Sequence, residues 1–416
     1  MTETYNSAEY PRYRWLILVS AIIGYVTMQV TNLCLAPILP QVARDLAVNI
    51  GVATNLMTAF LLSGAVALFF AGAICDRFGI LVVIIIGVTT AALPAALMPW
   101  LGGSYEAVLW ARVVEGLSSG FLLSAMGPII ALWFPEREKG LAAGLMGASV
   151  SIGSAIGIIA GPAVFLATGS WRQMCAWLSL FGWLGLAFAL ILILVPHPDP
   201  PSKPEVLAPA EGKAYFKQAM ALPLTRFGLI VAFFAGWCLQ CLYGLIPGFL
   251  SAEKPLGAGF GPMVSGQMML AVMIAGTIAP ILAGILTDKV FKGNVKPVMV
   301  AGFGLYPVVI YAVGHLAAQT SVSLLLTALV LAGVAVQIVY PSLFVYIAKS
   351  YRPQVVGLMS GLWAGVAAIG GVIGLFLGGI NVNSSGSYGM ALTIIAFGGL
   401  PGLISSLALP RVRFDI

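Results

Sequence analysis

Charge is almost absent from this chain over stretches far longer than a water-soluble fold tolerates. Uncharged runs cover residues 15–43, 46–75, 78–105, 116–135, 140–171, 173–198, 227–252, 255–287, 297–348 and 353–410. About 20 apolar residues carry a helix across a bilayer core of roughly 30 Å. The last two runs are 52 and 58 residues long, too long for one crossing at ~1.5 Å per residue. Each is expected to fold back once, at the polar turns His315 to Ser321 and Asn381 to Gly386. Arg112 and Glu115 interrupt one further span. The pattern predicts an all-α membrane protein with twelve transmembrane helices.

Only 8% of residues are charged, and 49 are glycine. Glycine is frequent in membrane helices because helices there approach through small residues. The first apolar run starts at Trp15 and, at 29 residues, exceeds the apolar core of a signal peptide, so it reads as a retained helix. Cys34, Cys75, Cys175, Cys238 and Cys241 fall in or beside spans and imply no disulfide framework.

The excess positive charge reports topology and not nucleic acid. With a cytoplasmic N-terminus and twelve alternating spans, 16 of the 20 basic residues face the cytoplasm. Arg44, Arg172 and Lys254 face outward and Arg112 lies within a span. This is the bias of the positive-inside rule. It implies an inner-membrane, multi-pass protein with both termini cytoplasmic.

The chain also repeats. Gly24 and Gly236, Gly64 and Gly276, Gly72 and Gly284, and Asp76 and Asp288 are each 212 residues apart; Pro128/Pro341, Gly144/Gly357, Gly157/Gly370 and Gly161/Gly374 are each 213 apart. A register held this well marks a parallel duplication, with a site expected between two pseudo-symmetric six-helix bundles. The expected division is residues 1–196, a cytoplasmic linker 197–223, and 224–416. The linker starts proline-rich, and Ala210 to Met220 could form a surface helix or plain linker.

Two copies of one motif sit after the second and eighth spans: GAICDRFG from Gly72 to Gly79, and GILTDKVFKG from Gly284 to Gly293. In each, a helix ends, an acid and a base follow (Asp76 with Arg77, Asp288 with Lys289), and a glycine turns the chain. The carboxylates stand where they can meet backbone N–H groups at a neighbouring helix start. The fourth span carries ARVVEGLSSG, with Arg112 and Glu115 three residues apart on one helix face. Charges inside a membrane are costly and mark function by default; a structural ion pair is the bland reading. Gly153, Gly157 and Gly161 make a ladder in the fifth span, and Gly370 and Gly374 part of one in the eleventh. They suit either a sliding helix interface or static close packing.

On these motifs the chain resembles a major facilitator superfamily transporter over nearly its full length. Gly72, Asp76, Arg77 and Gly79 match the family's signature after the second span, although Ile80 and Leu81 replace its basic tail. The resemblance implies two six-helix bundles that alternate access, and a cytoplasmic latch built on Asp76. Arg112 and Gly116 match the family's fourth-span pattern. The resemblance also implies that spans 1, 4, 7 and 10 line the cavity, where Gln29, Asn32, Trp237, Gln240, Tyr243, Gln337 and Tyr340 join Arg112 and Glu115 on the substrate and proton pathway. The loop read as WFPEREKGLAAGLMGAS resembles branches that move small anions. Gly157, Gly161 and Pro162 partly resemble the fifth-span motif of drug–proton antiporters.

The expected function is secondary transport: proton-coupled uptake or exchange of a small organic metabolite such as a weak organic acid. The alternative is proton-coupled efflux of amphipathic compounds. A remote one is Cu(I) transport through Cys238, Cys241, Met269 and Met273. No glycine-rich phosphate loop with a lysine is present, so a gradient is the expected motor, and no enzyme activity, cofactor or resident metal is expected. The expected partners are a small solute, H+ and the bilayer, with the chain acting as a monomer.

Overall fold

A computed structural model describes residues 11–195, 216–317, 321–351 and 353–410. Every regular element among the described residues is helical. Twelve helices are long and apolar enough to cross a membrane: span 1 Tyr13–Asp45, span 2 Ile50–Cys75, span 3 Ile80–Leu101, span 4 Tyr105–Ile130, span 5 Gly144–Thr168, span 6 Trp171–Leu194, span 7 Pro223–Ser251, span 8 Gly261–Ile285, span 9 Lys296–Leu316, span 10 Val322–Ile347, span 11 Leu358–Ser385 and span 12 Tyr388–Ala408.

Local chemistry fixes the ends. Ser104 caps span 4 by accepting from the Ala107 N–H at 3.2 Å, as an N-cap serine does. Gly169 ends span 5 in the left-handed region at φ 68°, and Ser170 then caps span 6 by accepting from Gln173 N–H at 3.5 Å. Pro94, Pro128, Pro162, Pro280, Pro307 and Pro341 all sit inside helices. Membrane helices accommodate them because neighbouring groups and local adjustments satisfy the freed carbonyls.

Two spans are broken at matching places. The first helix of span 1 ends at Leu33, followed by a short turn at Ala36–Ile38. The first helix of span 7 ends at Gly244 and the second begins at Ile246. The first helices end at Leu33 and Gly244, 211 residues apart and within one residue of the spacing of the sequence repeat.

The chain forms two compact units. The first comprises Met1–Leu35 with Ala59–Val206, and the second Ala36–Thr58 with Leu207–Ile416. The part of span 1 beyond its break and the start of span 2 thus belong to the second unit. In the first unit, the helix Tyr13–Leu33 packs on Glu136–Thr168. Gly153 stands against Val26, Gly157 against Val30 and Gly161 against Cys34. The Tyr25 hydroxyl, wholly buried, donates to Leu122 O at 2.7 Å. In the second unit, span 7 packs on span 11. There Gly236 meets Ala367 O, Gly370 meets Phe233 O, and Gly374 meets Trp237 and Cys241. Lipid tails are as apolar as leucine, so such close approaches, and not apolar burial, hold the helices together.

Three local expectations are corrected. The stretch WFPEREKGLAAGLMGAS is not a loop: helix resumes at Glu136, leaving only Phe134 and Pro135 between helices. Glu138 explains this, because it anchors the helix start to Arg14 by two hydrogen bonds of 3.1 Å. Asn381 and Asn383 are helical, and the turn lies at Gly386 (φ 66°) and Ser387; Asn381 satisfies its amide on Leu377 O at 2.8 Å within the helix. His315 is likewise helical, with Nδ1 3.0 Å from Tyr311 O. Of the 197–223 segment, residues 216–221 are helical and the part up to residue 215 lies outside the described residues, as does His197.

Candidate functional site

Arg112 and Glu115 meet inside the first unit. Their three-residue spacing puts them on one face of the helix Tyr105–Trp133. Arg112 Nη1 donates to Glu115 Oε2 at 2.7 Å, with 1% and 2% of the side chains exposed. Arg112 also donates to Thr31 O at 2.9 Å and to Asn32 O at 3.2 Å. These carbonyls belong to the last turn before the break in span 1, where a helix leaves its carbonyls without intrahelical partners. The guanidinium therefore caps that helix end while it neutralises Glu115. Its carbon lies 4.7 Å from the centre of the Phe60 ring, a cation–π distance.

A small cavity adjoins the pair, lined by Thr31, Cys34, Arg112, Glu115, Cys175 and Ser179 among others. It offers about 10 Å³ to the centre of a water-sized sphere, roughly one water site. Gln29, one turn earlier, donates instead to Ser154 Oγ at 2.7 Å. Asn32 enters through its carbonyl and not its side chain.

The second unit assembles an uncharged cluster. Gln337 of span 10 donates to the Tyr243 hydroxyl of span 7 at 3.1 Å. Gly276 makes room for it: a Cβ there would fall 2.8 Å from Gln337 Cγ. Trp237 is buried, and its indole N–H has no hydrogen-bond partner among the described residues. Gln240 is half-buried with its side chain against Gly371, and Tyr340 packs on Phe344 at 5.6 Å. The structure thus joins Tyr243 to Gln337 by a direct bond, and shows none from Trp237, Gln240 or Tyr340 to that pair among the described residues. Cys238 and Cys241 are buried beside this cluster; among the described residues no group of three or more His, Cys, Asp or Glu is placed to hold a metal ion.

The two motif copies end differently. Helix continues through Asp76 and Arg77 to Phe78, and Gly79 turns at φ 89°. The second copy closes in a π-helical turn, Leu286–Val290, with Gly293 at φ 82°. A Cβ at Gly72 or Gly284 would meet nothing within 4 Å. The side chains of Asp76 and Asp288 lie outside the described residues.

Sequence reasoning missed the Arg14–Glu138 pair and the partnership of Cys34, Cys175 and Ser179 with Arg112. Residues 14 and 138, or 34 and 175, carry no local signal of their meeting. Arg112's grip on the span 1 carbonyls was legible only as an arginine that needed partners.

The sequence matches the family model of the Major Facilitator Superfamily over residues 21–316 and 259–415. The protein named "Probable anion transporter 6, chloroplastic" of Arabidopsis thaliana is 22% identical over 402 residues, 92% of this chain and 76% of that protein. Quinolone resistance protein NorA of Staphylococcus aureus is 26% identical over 200 residues, 46% of this chain and 50% of that protein. The chain spans only 33% of an uncharacterised transporter of Mycobacterium tuberculosis and 25% of a second Arabidopsis anion transporter to which it is also similar. Among solved structures, a D-xylose–proton symporter superposes with a TM-score of 0.77 at 14% identity, covering 97% of this chain and 99% of that one. That likeness establishes the fold.

Proposed function

We propose, from the premise that this chain belongs to the Major Facilitator Superfamily and is a multi-pass membrane transporter, that it carries a weak organic acid together with a proton, in uptake or exchange. Support comes above all from the Arg112–Glu115 pair, bonded at 2.7 Å and buried. A solute carboxylate that binds Arg112 competes with Glu115 for the same guanidinium. Displaced, Glu115 holds an unpaired charge in a low-dielectric interior, which costs several kcal/mol. Taking up a proton removes that cost. Solute and proton then load together, and by reciprocity each raises the affinity for the other. The family's alternating access returns both to the other side.

The reading extends to setting and parts. The charge bias supports a cytoplasmic membrane with both termini inside. The 212-residue repeat supports bundles at 1–196 and 224–416 joined by 197–223, and a monomer as the working unit. Gln29, Asn32, Trp237, Gln240, Tyr243, Gln337 and Tyr340 supply neutral hydrogen-bonding and ring contacts along the pathway. Gly72, Asp76, Arg77 and Gly79, echoed by Gly284, Asp288 and Lys289, serve as the cytoplasmic latch. The glycines Gly157, Gly161, Gly370 and Gly374 keep the helices of each bundle close.

Proteoliposomes test this. Glu115→Gln should abolish accumulation of a carboxylic acid against its gradient and spare counterflow exchange, whereas Arg112→Ala should lose both. Full proton-driven accumulation by Glu115→Gln defeats the proton role. The similarity to NorA favours a second reading, efflux of amphipathic compounds. Broad drug resistance on over-expression, with no carboxylic acid uptake, would select it.

A further inference from the structure

Cys34 and Cys175 are 141 positions apart in the sequence and meet beside the ion pair. Cys34 follows Leu33 directly, at the break in span 1, and its thiol donates to Thr31 O at 3.6 Å. Cys175 lies on Trp171–Leu178, the first helix of span 6, and faces the same cavity as Cys34. Both are buried, at 3% and 4% exposure, and both line the one-water cavity that Arg112 and Glu115 share. Gly161 holds Cys34 in place, since a Cβ there would stand 2.5 Å from the Cys34 carbonyl oxygen. The proton coupling described above uses neither thiol.

A single buried cysteine behaves as a small apolar residue. Two thiols that line one cavity are a pair of soft donors. Hard cations want several oxygens, and zinc wants three or four ligands. Two sulfurs suit a soft ion that accepts two-coordinate thiolate binding. Charge narrows the choice. A divalent ion with two thiolates is neutral, and so is the adjoining Arg112–Glu115 pair, so the loaded site leaves no uncompensated charge in the membrane.

We propose that Cys34 and Cys175 form a two-thiolate site for a soft, two-coordinate metal ion of the mercury(II) class, which on binding ties the break of span 1 to span 6. Two S–H bonds break, two S–Hg bonds form, and two protons leave; nothing is oxidised or reduced. The site stands whatever solute the transporter carries.

The test titrates the purified full-length chain in detergent with mercuric chloride. All five cysteines are buried, so after one equivalent the chain is alkylated in denaturant beside a mercury-free control; peptide mass mapping should find Cys34 and Cys175 protected only with mercury, and Cys75, Cys238 and Cys241 modified in both. A thiolate-to-mercury absorption band should saturate at the same point. Cys34→Ala and Cys175→Ala should each weaken binding by about 100-fold or more, the usual loss when one of two linked contacts is removed. Protection falling on Cys238 and Cys241, or affinity unchanged in both variants, overturns the proposal. The mapping on wild-type protein decides even if a variant fails to fold.

Discussion

Gly51 and Gly379 touch backbone to backbone. A Cβ on Gly51 would run into the Gly379 carbonyl oxygen and come within 2.6 Å of the Asn383 amide nitrogen, while one on Gly379 would stand 2.9 Å from the Gly51 carbonyl oxygen. The contact joins the short helix Ile50–Ala53 to span 11 inside the second unit. Neither neighbour is a side chain that could rotate away, so an added methyl must move backbone. Gly51→Ala should cost about 1–3 kcal/mol, the usual penalty for overpacking a close interface, seen as a lower unfolding temperature in detergent. A cysteine placed at Thr54, wholly buried in the wild type, should become more reactive in that background. Unchanged stability and reactivity would show that the two backbones separate freely.

Near the same end, Arg44 and Glu253 pair at 2.9 Å with 60% and 74% of their side chains exposed. The hydrogen bond from Arg44, and then its charge, hold the Glu253 carboxyl below the usual glutamate range near 4.5. A lowered carboxyl contributes its part fully above its ordinary pKa and loses it as pH falls through the lowered value. The link between the C-terminal end of span 1 and the residues after span 7 should therefore be intact at neutral pH and weaken only below about pH 4.5. Salt should weaken it too, because exposed pairs are screened. Glu253→Gln should abolish the acid and salt dependence of labelling at a cysteine placed on neighbouring Ser251, with little effect on unfolding temperature. Labelling that stays equally acid-sensitive in Glu253→Gln would assign the titration elsewhere.

Gly79 separates two reasons for keeping a glycine. Its surroundings leave open space for a Cβ, so packing does not require it. Its backbone, at φ 89° and ψ 165°, lies in a region almost exclusive to glycine, where other residues cost about 1–3 kcal/mol. Gly79→Ala should therefore destabilise the span 2–3 connection by that amount. Gly72→Ala, which meets neither obstacle in the helix Asn55–Phe78, should be near neutral for stability. Any transport defect in Gly72→Ala would then report a contact made in another conformation, as the proposed latch requires. Equal stability losses in both variants would refute the backbone argument.

The spans, their number and the 212-residue repeat were legible because a bilayer imposes one simple demand, some twenty uncharged residues per crossing, that a sequence displays directly. The breaks after Leu33 and Gly244 follow the repeat, and Pro37 and Pro247 just beyond them are the local signal that could have announced them. The Arg112–Glu115 pair was legible for the same reason as the spans: two charges inside an apolar helix must find each other or water. What a membrane charge does with its remaining donors was not legible. Those bonds go to the Thr31 and Asn32 carbonyls, and backbone carbonyls look alike in any sequence. Glu138 was read as loop because PEREKG is polar, yet its partner Arg14 lies 124 residues away and turns it into a helix anchor.

The double duty of Arg112 makes its last prediction quantitative. Removing one partner of a buried ion pair commonly costs about 3–5 kcal/mol, whereas replacing both by apolar residues is often neutral. Here the second half of that rule should fail. Arg112→Met with Glu115→Leu removes both charges but takes the Asn32 carbonyl's arginine donor away and leaves the Thr31 carbonyl only the Cys34 thiol at 3.6 Å. An unsatisfied buried acceptor costs about 1–3 kcal/mol, so the double variant should stay at least about 1–3 kcal/mol less stable than wild type. Glu115→Gln keeps the arginine on both carbonyls and trades an ionic partner for a neutral acceptor. Its guanidinium remains hydrogen-bonded, so it should lose less than Glu115→Leu, which offers no acceptor at all. Unfolding of the three variants in detergent, measured against the same wild-type baseline, gives the order: wild type, then Glu115→Gln, with the double variant and Glu115→Leu below it. A double variant as stable as wild type would show that the carbonyls find other donors, and that Arg112 serves Glu115 alone.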